Sequence, residues 1–157
     1  MSSSKRTDVE RLLAEEDAGW RELLAVFESV PAERFDESGV TQEGWSPKDV
    51  MFHVGAWLAE CAAVLDGIGT GAPVTEGHGD DATSTDTKNA AWFNMSHEMD
   101  VSTVRDGFES ARADARRIFA EMTDPTAEGW SWFEESGSLH YAEHGKDLLA
   151  WLERPVG

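Results

Sequence analysis

The stretch that most constrains this chain is GWSPKDVMFHVGAWLAE, residues 44–60. Ser46 can cap a helix, Pro47 falls at the first helical position where a missing N–H costs nothing, and Asp49 completes a capping box. Trp45 and Val50 are placed to staple across that cap. Val50, Val54, Trp57, Leu58, Cys61, Val64 and Leu65 then recur at helical spacing to about Ile68. The pattern predicts an amphipathic helix with a fixed start. His53 lies three residues after Val50 and four before Trp57, so the same spacing sets an imidazole into the buried face.

The remaining signals are helical as well. Thr7 with Glu10 three residues on reads as a second capping box, and Val9, Leu12, Leu13, Trp20, Leu23, Leu24 and Phe27 predict a first helix over 7–30. Residues 69–86, rich in Gly, Thr and Asp and without a period, predict a long loop, as a lid or as a crossover connector, with His78 exposed between glycines. A third helical region is expected over 87–122, restarting near Asp100-Val101-Ser102 with Ser102 as cap. Its second half carries Val104, Phe108, Ala111, Ala115, Ile118, Phe119 and Met122. Trp130, Trp132 and Phe133 fall in an expected turn. A last short helix then carries Leu139, Leu148, Leu149, Trp151 and Leu152 and stops before Pro155. Gly145 weakens that helix by ~1 kcal/mol relative to Ala, so packing must hold it. The fold class is therefore all-α: one domain over 1–157, built as a four-helix bundle with a long connection between helices 2 and 3.

Charge and cysteine usage narrow the function. With 31 acids against 13 bases the net charge is −18, which repels a phosphate backbone and argues against nucleic-acid binding. No uninterrupted apolar run approaches 18 residues, so no membrane span is expected. Cys61 is the only cysteine, which excludes an internal disulfide framework and suits a reducing cytoplasm, the expected location.

The chemistry concentrates in His140-Tyr141-Ala142-Glu143-His144. Residues four apart share a helix face, and this face continues through Leu148 and Trp151. Together with His53, three neutral nitrogens can converge in the interior. Three protein ligands leave one coordination position open, as in catalytic zinc sites. Hydrogen-bonded packing histidines are the competing reading. Glu143 and Glu60 are alternative ligands or bases, and His97 is a weaker candidate. The chain contains no G-x-S-x-G elbow, no H-E-x-x-H and no phosphate-binding glycine loop. Cys61 reads as a small core residue.

The segments G-W-S-P-K-D-V-x-x-H-V-x-x-W at 44–57 and H-Y-A-E-H-x-x-D-L-x-x-W at 140–151 resemble the two signatures of the DinB-like superfamily of metal-dependent four-helix-bundle proteins. The resemblance spans essentially the whole chain. Asn89 and Trp92 are similar to an element of the branch that includes the colibactin self-resistance protein. The resemblance implies an up-down-down-up bundle and a divalent ion, zinc or nickel, on His53, His140 and His144. Some relatives are transferases or isomerases that use mycothiol, bacillithiol or glutathione. In the mycothiol-dependent maleylpyruvate isomerase a glutamate stands where this chain has His140, so the site departs from that enzyme. Two functions follow as expectations. One is a metal-dependent enzyme with a low-molecular-weight thiol or water in the open position, acting on small electrophiles. The other is a non-catalytic metal-binding or stress-associated sequestration protein. Trp57, Trp92 and Tyr141 are candidate pocket walls for a small-molecule substrate, and a homodimer is the one protein partner expected.

Overall fold

A computed structural model describes residues 2–71 and 82–154, the side chains of 82–84 excepted. The described residues are all-α, with no strand among them. The helices are α1 (Ser3–Ser29), α2 (Pro47–Gly69), α3 (Ala82–His97), α4 (Val101–Glu121), α5 (Ala127–Ser136) and α6 (Ser138–Leu152), with a 3-10 turn at Ala32–Arg34. α2 is central, packing most extensively along α4 and touching α3, α5 and α6 as well. α1 lies against α6 and α4. The core is the meeting of the expected stripes: Val9, Leu12, Leu23 and Phe27 from α1, Val50, Val54, Leu58 and Leu65 from α2, and Phe108, Ala115 and Phe119 from α4.

Several boundaries differ from the sequence reading, each for a local reason. α1 begins at Ser3 rather than at Thr7, because the Ser2 side chain accepts from the Lys5 N–H and caps the helix earlier. Thr7 is instead inside the helix, its hydroxyl donating to the Ser3 carbonyl. The third region is two helices, and the cap of α4 is Asp100, which accepts from the Thr103 N–H at 2.7 Å, not Ser102. α3 is already helical at Ala82, inside the segment expected to be loop. Residues 72–81, including His78, lie outside the described residues, and with them the lid-or-connector question. The expected turn around Trp130 is a ten-residue helix, α5, capped by Thr126. Leu139 and Leu149 are exposed, so α6 buries Leu148 and Trp151 alone from its expected apolar set.

α2 is the one described helix long and apolar enough, by length and composition, to cross a bilayer, although it contains no uninterrupted apolar run of that length. It is also the helix most enclosed by the others, with Lys48, Asp49 and His53 buried along with its apolar face. Core helices share that composition.

Candidate metal centre

His53 is aimed by the start of α2. The Ser46 hydroxyl accepts from the Asp49 N–H at 3.1 Å, and Asp49 accepts from the Ser46 N–H at 2.8 Å, so both halves of the capping box form. The second oxygen of Asp49 accepts from the buried Ser96 hydroxyl, which ties the end of α3 to the cap of α2. Trp45, the expected staple, has its ring 4.7 Å from the His53 ring and covers it.

α6 is aimed from its other side. The Tyr141 hydroxyl donates to Glu16 Oε2 at 2.9 Å. Glu16 is almost fully buried in α1 and is held by Arg112 Nε and Nη2 at 2.9 and 2.6 Å and by Arg116 Nη1 at 3.1 Å. A buried carboxylate is stable only when paired in this way. Burial and the adjoining Glu16 charge hold the Tyr141 phenol well above its ordinary pKa, so it remains a donor. With Tyr141 turned toward α1, His140 and His144 lie on the adjoining face of α6 and are buried next to His53 of α2. At the start of the helix Gly137 allows the chain to double back from α5, because a Cβ there would sit 2.8 Å from the Phe133 carbonyl oxygen.

The three histidines predicted from spacing come together. His140 Nε2 lies 2.9 Å from His53 Nε2 and 3.0 Å from His144 Nε2, and all three residues are buried. They form a group of three ligand atoms close enough to hold a metal ion. Metal–nitrogen bonds of about 2.0–2.1 Å at a tetrahedral angle place ligand nitrogens ~3.3 Å apart, so the observed spacing is close to that of a loaded site. Chemistry points the same way. Each Nε2 carries either one proton or one lone pair, so a hydrogen bond can satisfy one of these contacts, but His140 Nε2 cannot fully serve both. A cation accepting three lone pairs would satisfy all three nitrogens together. Burial lowers the His144 pKa, against the opposing pull of Glu143 and Asp147, and so favours the neutral form that a ligand needs.

The triad forms the floor of a cavity of about 850 Å3. Its walls include Trp45, Trp57, Asn89, Glu135 and Asp147. Asn89 accepts from the Trp57 Nε1–H at 3.0 Å, fixing that wall. Of the other candidates, Glu143 lines the cavity but is exposed, and Glu60 pairs with Lys88 at 3.3 Å. His97 is exposed and contacts the Phe93 carbonyl, outside the triad. Trp92 packs edge-on against Trp57, and Tyr141 faces Glu16, so neither is a wall of this cavity. Sequence reasoning missed Glu16, Glu135 and Asp147. Only Asp147 carried a signal, being one turn after His144 on the same helix.

Comparison with protein-family models, with curated proteins and with solved structures finds no match in any of the three.

Proposed function

We propose that this chain is a divalent-metal-dependent enzyme of the DinB-like type, with His53, His140 and His144 holding zinc or nickel. The observation that carries the reading is the convergence of three buried Nε2 atoms at the floor of an open cavity. A bound ion supplies Lewis acidity, lowering the pKa of water or of a low-molecular-weight thiol so that a nucleophile exists near neutral pH. The chain's own residues do the rest. The triad leaves its cavity side open, Trp45 shields His53 from above, and Trp57 with Asn89 shapes the wall against which a small electrophile lies. The corresponding architecture is a four-helix bundle of α1, α2, α4 and α6, with α3 and α5 as additions between its members. We further propose a cytoplasmic location and no nucleic-acid or membrane partner.

The enzymatic part is tested by supplying zinc- or nickel-loaded protein with an electrophilic arene or an activated ester, in the presence of a panel of small thiols and in water alone. The expected result is turnover that requires both metal and His140. Metal-bound protein that turns over nothing with any thiol or with water would leave the sequestration role in its place.

A further inference from the structure

The wall of the cavity speaks to what enters it. Among the described residues four carboxylates line it: Glu43 from the segment before α2, Glu135 from α5, and Glu143 and Asp147 from α6. Glu135 and Asp147 are half-buried, Asp147 with Oδ2 3.5 Å from His144 Nδ1, while Glu43 and Glu143 are exposed. The one cationic side chain in that lining is Arg154, whose Nη1 donates to the Gly39 carbonyl at 3.0 Å and is thereby anchored to the backbone at the rim. Four negative charges thus outweigh Arg154 and a divalent ion together. Trp45 and Trp57 add aromatic surface to the same walls. Carboxylates around a low-dielectric cleft focus a negative potential into it, and aromatic faces add to the attraction for cations.

We propose that this cavity selects organic cations, admits neutral molecules less well and rejects anions. The small electrophile it takes carries an amine or quaternary ammonium group, and any thiol that enters with it lacks free carboxylates. The inference rests on the reading that the cavity over the triad is the ligand site; it does not need the metal to be of any particular kind.

Three probes that share one ring test it: benzyltrimethylammonium, benzyl alcohol and benzylsulfonate, titrated by calorimetry into the full-length protein with its metal complement as purified. At about 20 mM salt the ammonium is expected to bind at least ~10-fold more tightly than the sulfonate, and the gap should narrow at about 0.5 M. The molecule as a whole is strongly acidic, so two double variants separate a local from a global effect. Glu43→Gln with Glu143→Gln removes two exposed charges of the cavity lining. Asp106→Asn with Glu109→Gln removes two exposed charges on α4, outside the cavity lining. The first pair should shrink the preference severalfold and the second should leave it intact. Equal affinities for the two ions, no binding of the ammonium, or equal effects of the two pairs would each overturn the proposal. Protein that takes up neither zinc nor nickel on incubation yet keeps the ammonium preference would sink the metal reading and leave this one standing.

Discussion

Asp147 stands one turn beyond His144, with Oδ2 3.5 Å from Nδ1, an ion-pair contact that a small side-chain rotation would turn into a hydrogen bond. A carboxylate on the outer nitrogen of a ligating histidine fixes the tautomer, so that the inner nitrogen keeps its lone pair, and raises its basicity. Asp147→Asn should therefore weaken metal affinity by about tenfold or more in a chelator competition. Glu143→Gln, adjacent in sequence but exposed, should change it by less than about twofold. Equal effects of the two would deny Asp147 an orienting role. Cys61 gives a second prediction. Burial pushes its thiol from an ordinary 9.0 up to about 12, with Ser136 pulling weakly the other way. In native protein at pH 8 it should resist iodoacetamide and react only on unfolding. Above pH 9.0 the unfolded chain loses a proton that the folded chain keeps. Stability should therefore fall as pH rises from 9.0 toward about 12, at up to ~1.4 kcal/mol per pH unit, a slope that Cys61→Ala should flatten. A native thiol that alkylates as fast as free cysteine would contradict the burial. At this scale the three histidines are legible in sequence, because helical spacing alone sets them on interior faces. Glu16 is not. It reads as an ordinary surface acid until Arg112, 96 positions later, is brought beside it.

Elements were readable where caps and stripes agree. Ser46, Pro47 and Asp49 locate the start of α2 to the residue, and the stripe from Val104 to Phe119 is the buried face of α4. Starts are less legible where two residues can cap. Ser2 and Thr7 both qualify for α1, as do Asp100 and Ser102 for α4, and the choice depends on which neighbouring N–H is left without a partner. α5 is hidden for another reason. Its ten residues contain Gly129 and are held by tertiary contacts, such as the Phe133 ring stacked 4.1 Å from that of Phe119, rather than by periodicity. α2 and α4 approach each other closely at Gly55. A Cβ added at Gly55 would lie 3.0 Å from the Phe108 Cα, so Gly55→Ala should push the helices apart and cost ~1–3 kcal/mol by denaturant titration. Gly107→Ala on α4 meets nothing within 4 Å and should instead be neutral or stabilising by up to ~1 kcal/mol. Indistinguishable midpoints for the two variants would show that the Gly55 approach is not a constraint.

Across the whole molecule, two polar clusters hold the helices in register around the triad. Asp49 links the start of α2 to Ser96 of α3, and Glu16 links α1, α4 and α6 through Arg112, Arg116 and Tyr141. The second cluster is the larger stake, because removing the carboxylate takes the acceptor from the buried Tyr141 hydroxyl and leaves the half-buried Arg112 with Asp17 alone. Glu16→Ala should lower stability by about 2–4 kcal/mol in urea, and Glu37→Ala, which loses only a solvent-facing pair with Arg34, should lower it far less. A loss below about 1 kcal/mol would mean that the network does not tie the helices together. Both clusters serve the same end, which is to bring His53 from one helix to His140 and His144 on another. The most direct test of that account is elemental analysis of tag-free protein alongside His140→Ala, with helicity checked by circular dichroism. The parent should carry about one equivalent of zinc or nickel per chain, and a variant of unchanged helicity less than about a tenth. The same metal content in both, or none in the parent after incubation with either ion, would contradict it.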